Sequence, residues 1–230
     1  MQFCHSREIW SDYAELVPGV LFAEGITHDA LVEPRTFRFN AIAESRLASS
    51  SEGELPEVQA WRRTFSKMGL KPTQYRCASE SLLRRFKKEK SLPHIHPIID
   101  LCNAISLAFA IPIAVFDASK IEGSLEVRYA AGTELYSTFS GTLENPEPRE
   151  VIFADQANRA HARRWTNRQS AHSAISNDTH AVLIVAEALH ATADTDVRRL
   201  VATAADELHA VWALSAKTGI LSLSSPVFSF

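Results

Sequence analysis

Apolar residues recur at helical spacing in four segments of the chain. In residues 56–68, Val58, Trp61 and Phe65 are separated by three or four positions, so they fall on one face of a helix that begins at Pro56. The same spacing predicts three further helices, over residues 74–90, 97–110 and 195–217, the last with Thr195 as its N-cap.

Shorter apolar runs predict strands between these helices. They cover residues 20–23, 113–116, 125–129, 134–139, 150–154 and 181–186. The first fifty residues as a whole are interpreted as short strands. Because helices and strands do not alternate strictly, the pattern predicts an α+β fold.

The composition narrows the classes of function. With 230 residues, 46% of them apolar and 22% charged, the chain can bury a full hydrophobic core. The eight glycines and the lack of a dinucleotide or P-loop motif argue against a glycine-rich phosphate loop. Three widely spaced cysteines indicate neither a disulfide framework nor a zinc site. We therefore expect no cofactor and no metal, and a cytoplasmic protein without a membrane span.

The basic residues are concentrated in two clusters, although the net charge is only -3. Residues 61–90 contain ten basic side chains against two acidic ones, Glu80 and Glu89. The second cluster consists of Arg159, Arg163, Arg164 and Arg168. Concentrated basic charge on a near-neutral protein suits a polyanionic partner. The alternative is a solvated helix face.

Five sequence blocks follow one another in a recognisable order. They are IIDLCN at 98–103, IPIAVFD at 111–117, GSLEVR at 123–128, VIFAD at 151–155 and DTHAVLI at 178–184. Together they resemble the B3/B4 editing domain of the bacterial phenylalanyl-tRNA synthetase beta subunit, over residues 56–189. Residues 75–86 and the C-terminal helix are more similar to free-standing members of that family.

The resemblance implies an architecture and an activity. The fold would be α+β, with a mixed or antiparallel sheet flanked by helices around a central pocket. Residues 1–230 would form one B3/B4-like domain, with N-terminal strands in 1–50, a core in 56–189 and the amphipathic helix 195–217. The implied activity is hydrolysis of a mischarged aminoacyl-tRNA by a trans-editing protein. Its partner would be tRNA, with neither DNA nor a membrane; the tRNA, the amino acid and the oligomeric state stay open.

Editing of this kind is physically reasonable. A single pocket separates side chains that differ by one small group only about 10–200-fold, so a second site multiplies the selection. The aminoacyl ester is already activated by the neighbouring ribose hydroxyl. A site then needs to hold the ester, place one water and stabilise an oxyanion, without a strong nucleophile.

The chain departs from the synthetase pattern at two places. Ala114 stands where the synthetase domain has a histidine, and the segment 165–172 lacks the Gly-Gly-Glu string whose glutamate reads the tyrosine hydroxyl. These departures favour an alternative, a non-catalytic module that binds tRNA or an amino-acid-like ligand. A hydrolase for an unrelated small ester or amide is a third possibility.

Candidate site residues come from the resemblance and from local chemistry. Asn103, Asp117, Asp155 and Thr179 match family positions, and Trp165 beside Arg168 combines a stacking face with a charged donor suited to a terminal adenosine. The predicted catalytic residues are Asn103, Glu80 and Asp155. The predicted substrate- and tRNA-binding residues are Arg76, Arg84, Arg85, Trp165, Arg168, Gln169 and Thr179.

Each candidate also has a structural alternative. Asn103 could be a buried hydrogen-bond bridge, and the aspartates could cap turns at strand ends. Arg76, Glu80 and Arg84, four residues apart, could form a surface ion-pair ladder instead of orienting a phosphate or ester. We expect Arg76, Asn103 and Arg168 to meet in one hollow if the site exists.

Overall fold

The computed structural model describes all 230 residues and contains six α-helices and twelve strands. The helices are α1 (Arg7–Asp12), α2 (Glu33–Ser49), α3 (Pro56–Lys67), α4 (Ala78–Glu89), α5 (Pro97–Phe109) and α6 (Ala193–Trp212). The strands are β1 (Gln2–His5), β2 (Val17–Glu24), β3 (Ile113–Asp117), β4 (Ser124–Tyr129), β5 (Tyr136–Ser137), β6 (Leu143–Glu144), β7 (Val151–Asp155), β8 (Ala160–Arg163), β9 (Arg168–Gln169), β10 (Ala181–Ala188), β11 (Lys217–Ile220) and β12 (Val227–Ser229). None of the helices combines the length and the apolar character of a membrane span.

Ten of the strands form two sheets. The smaller sheet has four antiparallel strands in the order β11-β2-β10-β3. The larger sheet has six strands in the order β12-β1-β4-β7-β8-β9, and within it only β1 and β4 run parallel. Strands β5 and β6 form a separate pair. The predicted α+β class with a mixed sheet is confirmed.

Strand β10 is buried on both faces, which explains its almost continuous apolar sequence. Leu183 and Val185 point into a core shared with the six-stranded sheet. Val182, Ile184 and Ala186 pack instead against α5 and α6. Since successive residues of a strand point to opposite faces, this one strand serves two cores. The protein is therefore layered as large sheet, small sheet and helices.

Two predicted helices have nearly the expected ends. Helix α3 begins at Pro56, whose missing N–H is no loss in a first turn, and ends at Lys67. Helix α5 begins at Pro97, where the ring of His96 accepts a hydrogen bond from the N–H of Ile98 at 3.3 Å. Both predictions are confirmed to within one residue.

The sequence predicted short strands throughout the first fifty residues, and this prediction is wrong for part of the segment. Residues 33–49 form α2, in which Pro34 occupies the first turn and Phe39 and Ala43 are buried four residues apart. The apolar residues of α2 do not all share one face, since Phe37 and Ile42 are exposed, so the helical spacing is weak in the sequence. The predicted strand 134–139 is also shorter, because only Tyr136–Ser137 pairs with β6.

Two other helix boundaries differ from the prediction. Helix α4 begins at Ala78, so Arg76 lies in the preceding loop and not on the helix face. Helix α6 begins at Ala193 and ends at Trp212, which puts Thr195 inside its first turn rather than at the N-cap. Residues 217–220 form β11 instead of the end of that helix, because they pair with β2.

Half of the first basic cluster, five of its ten side chains, is engaged in ion pairs. The buried carboxylate of Glu80 binds Arg62 at 2.6 Å and Arg76 at 3.3 Å. The remaining pairs join Arg84 and Lys87 to Glu52, and Arg85 to Glu89. The sequence count therefore overstates the cationic charge that is free to meet a polyanion.

We predict that Glu80→Ala destabilises the protein by about 2–3 kcal/mol, because it leaves two half-buried guanidinium groups without their carboxylate. Glu89→Ala is the matched control on the same helix, and its exposed pair with Arg85 contributes about 0.5 kcal/mol or less. Urea unfolding of both variants measures the difference. Equal losses would contradict a stabilising role for the buried pair.

Candidate functional site

A pocket opens between the two sheets, where β3 and β10 approach residues 165–169 and the first residue of α4. We call it the β3–β10 pocket, and its volume is about 70 Å³. Its apolar wall consists of Ala78, Pro112, Ile113, Ala114, Phe153, Ala162, Trp165 and Val185, and its polar wall of Thr166, Asn167, Arg168, Gln169 and Glu187. This volume suits a small chemical group rather than a whole nucleotide.

The strand register determines which side chains line this pocket. Val185 and Glu187 are two residues apart on β10, so they point to the same face. On the neighbouring strand, Ala114 is the cross-strand partner of Val185. The small side chain of Ala114 leaves the space that the pocket occupies.

A left-handed turn places Trp165 in the pocket wall. Arg164 and Trp165 have φ angles of 47° and 58°, a conformation that costs an L-residue roughly 1–2 kcal/mol. The turn is held by hydrogen bonds from the Trp165 N–H to the carbonyl of Val151 at 2.7 Å and from the Arg164 N–H to the Glu150 carboxylate at 3.0 Å. Complete burial of the indole offsets the backbone strain.

The same loop is tied to the start of α4. The N–H of Ala78 donates to the carbonyl of Thr166 at 2.8 Å, and the side-chain amide of Asn167 donates to the carbonyl of Arg76 at 2.7 Å. Arg76 thus adjoins the pocket through its backbone, whereas its guanidinium binds Glu80 and the carbonyl of Thr73.

Trp165 does not offer the stacking face that the sequence predicted. Its ring makes edge-to-face contacts with Tyr13 at 4.9 Å and with Trp61 at 5.1 Å between ring centroids. Because these two rings enclose it, no base can stack on the indole without displacing them. Trp165 contributes shape and one hydrogen-bond donor to the pocket instead.

That donor binds Glu187, the one carboxylate in the pocket wall. The indole Nε1–H of Trp165 donates to Glu187 Oε2 at 3.0 Å, and Glu187 Oε1 lies 2.7 Å from His5 Nε2. The indole of Trp61 donates to the backbone carbonyl of Glu187 at 3.2 Å. Glu187 is 1% exposed. Three hydrogen bonds thus fix this buried acidic residue in the polar wall of the pocket.

Two further polar groups of the pocket have hydrogen-bonding capacity left. Gln169 donates its amide to the carbonyl of Val115 at 2.7 Å, which leaves its side-chain oxygen as an acceptor. The hydroxyl of Thr166 is buried without a partner. Buried polar groups are normally paired, so an unpaired hydroxyl in a pocket wall is a candidate ligand contact.

Arg168 is the exposed cation of the pocket. Its guanidinium binds Glu144 at 3.2 Å and lies 5.4 Å from the centre of the Tyr136 ring. Arg163 binds the same Glu144 at 2.7 Å and also Glu150 at 2.9 Å. The second basic cluster is therefore partly neutralised, as the first is.

The other predicted binding residues lie away from this pocket. Arg84 and Arg85 are on the outer face of α4, next to Glu52 and Glu89. Thr179 is buried before the start of β10, where its hydroxyl donates to Asp117 at 2.8 Å. Eight residues of chain separate it from Glu187, about 25 Å along a strand.

Asn103 lines a different, more polar cleft. This cleft lies between α2 and α5, and its other residues include Thr36, Asn40, His94 and Asp100. The expected meeting of Arg76, Asn103 and Arg168 in one hollow does not occur. Of the predicted residues, the pocket brings together Trp165, Arg168 and Gln169.

Asp155 belongs to a buried chain of polar groups rather than to the pocket. His161 Nε2 lies 3.2 Å from Asp155 Oδ2, and His161 Nδ1 lies 2.8 Å from the hydroxyl of Ser173. This order imitates a catalytic triad, but His161 and Ser173 are 0% exposed, so no substrate carbonyl can reach the serine in this conformation. Asp155 also accepts backbone hydrogen bonds from Ala157 and Arg159, as a turn cap does.

These contacts set the acidity of Asp155. Burial raises the pKa of its carboxyl, but the hydrogen bond from His161 and the backbone N–H groups of Arg159 and Glu122 outweigh burial and lower the pKa to about 2. The ionised form is therefore stabilised in the folded protein.

Sequence reasoning missed Glu187, Thr166, Asn167 and His5. A signal for Glu187 existed, because it is the single charged residue in the apolar run 182–189. A charge inside a strand buried on both faces must have polar partners, and such partners mark a site or a structural bridge. His5 carried no comparable signal, because it reaches Glu187 from 182 residues away.

We predict that Asp155 makes stability pH-dependent below about pH 4. Its folded-state pKa is below the unfolded value near 3.8, so its contribution, about 2 kcal/mol, is complete above that value and is lost as the pH falls towards 2. Urea unfolding of wild type and Asp155→Asn at pH 6 and pH 2.5 tests this. The wild type should be the more stable protein at pH 6, and the difference should shrink in acid. A difference that is independent of pH would refute the assignment.

Comparisons with known proteins agree with the blocks seen in the sequence. A family model described as the B3/4 domain matches residues 60–209. The phenylalanine–tRNA ligase beta subunit of Legionella pneumophila (strain Lens) is 32% identical over 62 residues, and that of Mannheimia succiniciproducens is 34% identical over 62 residues. Each alignment covers 27% of this chain and 8% of the relative.

A solved structure is also similar, an N-terminal fragment of the phenylalanyl-tRNA synthetase beta subunit from Pyrococcus horikoshii. It is 10% identical, with a TM-score of 0.47, and the match covers 93% of this chain and 49% of that one. The family model spans 150 of the 230 residues, and every residue that lines the β3–β10 pocket lies within it. The chain belongs to the B3/4 domain family and is a module related to part of a tRNA synthetase.

Proposed function

We propose that this protein binds the aminoacyl end of a mischarged tRNA in the β3–β10 pocket and hydrolyses its ester. The observation that carries the proposal is the pocket itself. It combines an apolar wall with a few converging polar groups, and it lies wholly inside the segment that matches the B3/4 family. The amino-acid part would occupy the pocket, and the terminal adenosine would remain outside.

The chemistry of the proposed step requires little from the protein. A water oxygen forms a bond to the ester carbonyl carbon, the bond from that carbon to the ribose oxygen breaks, and the ribose oxygen takes up a proton. The products are a free amino acid and tRNA. The unpaired hydroxyl of Thr166 is suited to donate to the developing oxyanion, and the free oxygen of Gln169 is suited to orient the water.

Contact with the tRNA would rest on cations that have no carboxylate partner. Within the two basic clusters these are Arg63, Lys67, Lys71, Lys88, Lys90 and Arg164. Arg164 is the nearest of them in sequence to the pocket, and its guanidinium lies 4.9 Å from the centre of the Tyr75 ring. An arginine that lies over an aromatic ring keeps N–H groups available for phosphate.

A specific observation also favours the second candidate, binding without hydrolysis. The pocket lining contains no imidazole, since Ala114 stands where the resemblance implies a histidine, and both oxygens of Glu187 already accept a hydrogen bond. Such a module would hold an aminoacyl-tRNA, or a related small ligand, without cleaving it.

Deacylation of a panel of mischarged tRNAs tests the proposal. We expect turnover of at least one member, loss of turnover in Ala114→Phe, which fills the pocket, and a roughly 100-fold lower rate in Thr166→Val. Thr195→Val, on the exposed side of α6, is the matched control and should keep the wild-type rate. Binding without turnover selects the second candidate, and neither binding nor turnover refutes both.

The salt dependence of binding checks the partner separately. If phosphates are neutralised, the logarithm of the affinity should fall linearly with the logarithm of the salt concentration, with a slope of about -0.7 to -0.9 per phosphate. Arg164→Ala should make this slope shallower by about one phosphate. Arg198→Ala, whose exposed pair with Asp194 lies on α6, should not change it. A slope near zero would exclude a nucleic-acid backbone as the main contact.

A further inference from the structure

The buried glutamates of this protein follow a common rule, with one exception. Glu52, Glu57, Glu80, Glu134, Glu187 and Glu207 are the glutamates that are buried as whole residues. All but Glu187 bind at least one arginine: the partners are Arg84, Arg46, Arg62 with Arg76, Arg128, and Arg35 with Arg38. Glu187 has only His5 as a possible cationic partner.

The hydrogen bonds of His5 indicate that it does not supply that charge. His5 Nε2 faces Glu187, but its other ring nitrogen, Nδ1, is buried without a partner. A protonated ring would bury an N–H at Nδ1 with no acceptor, which is costly and rare. A neutral ring with its proton on Nε2 donates to Glu187 and leaves only a bare acceptor at Nδ1.

The second donor to Glu187 is neutral as well. The indole of Trp165 supplies a hydrogen bond but no charge. With two neutral donors, the carboxylate has no cationic partner although Glu187 is 1% exposed, and a buried ion without such a partner is expensive. A carboxylate has about four acceptor positions, and only two are used. Glu187 therefore has both the charge and the free lone pairs to accept a cation from the pocket.

We propose that Glu187 is the receptor for a primary ammonium group, the α-amino group of the aminoacyl ligand. The inference rests on the proposed function for the identity of that ligand. The apolar residues Ile113, Phe153 and Val185 then surround the amino-acid side chain. The ammonium group supplies the positive charge that arginines supply to the other buried glutamates.

The N-terminal strand completes this receptor. His5 lies in β1, outside residues 60–209, and fixes the carboxylate from behind by a 2.7 Å hydrogen bond. The pocket of this chain thus depends on a segment that the family match does not include.

Acetylation of the ligand amine tests the proposal without any protein variant. The probes are short acceptor-stem RNAs whose 3′ end carries an aminoacyl group in a stable amide linkage, in free-amine and N-acetyl forms, for a panel of amino acids. We expect the wild-type protein to bind at least one free-amine RNA tenfold or more tightly than its N-acetyl form, because acetylation removes the charge that a buried carboxylate pairs with. Equal affinity for the two forms would overturn the proposal.

The variant Glu187→Gln is the complementary test, because glutamine keeps the shape and loses the charge. The preference for the free amine should disappear, while the N-acetyl RNA should bind as it does to wild type. Glu207→Gln is the control: Glu207 is a buried glutamate of α6 that pairs with Arg35 and Arg38 of α2, and this variant should retain the preference. A persistent preference in Glu187→Gln would assign amine recognition elsewhere.

Failure of the proposed function is distinguishable from failure of this inference. If no aminoacyl RNA binds or is hydrolysed, simple amino-acid amides and their N-acetyl forms are titrated by NMR. Chemical-shift changes that require the free amine and are absent in Glu187→Gln would support Glu187 as the ammonium receptor and exclude tRNA as the ligand. No binding of either probe class would reject both.

Discussion

The packing of β10 between two cores is the constraint on which the rest of the fold depends. One face of this strand joins the large sheet, and the other supports α5 and α6. Its neighbours β2 and β3 hold it by backbone hydrogen bonds along both edges. A strand in this position tolerates few polar residues, since neither face meets water. The acidic side chain of Glu187 is accommodated near the end of β10 because Trp165 and His5, from two other parts of the chain, bind its two carboxylate oxygens.

The positions of buried glutamates, more than the net charge, determine which basic side chains of this protein are free. The two arginine-rich segments look like nucleic-acid-binding surfaces in the sequence, yet glutamates inside the fold occupy many of these arginines. Glu80 is an example, because its carboxylate orients two guanidinium groups that would otherwise project into solvent. The remaining cations are scattered, so an RNA surface would depend on a few residues such as Arg164 and not on the whole of either segment.

The sequence predicts the elements better than the site, for a physical reason. Local patterns reveal α3 and α5 because the spacing of Val58, Trp61 and Phe65, or a proline at a first turn, is visible within one segment. Helix α2 was not predicted, because only Phe39 and Ala43 are buried in it. Site membership depends on long-range register: Ala114 and Val185 meet only because β3 pairs with β10, and His5 meets Glu187 only after β1 joins the large sheet. Asn103 and Arg168 were expected in one hollow, whereas the fold separates them into different clefts.

Strand β2, which pairs with β10 and β11, lies outside the segment 60–209 that matches the family. A fragment restricted to residues 60–209 would lose β1, β2, β11 and β12. The backbone N–H and C=O groups along one edge of β10 would then be unpaired. Exposed strand edges of that kind recruit other chains. In this protein, strand β2 therefore protects an edge that the segment 60–209 alone would leave open to association.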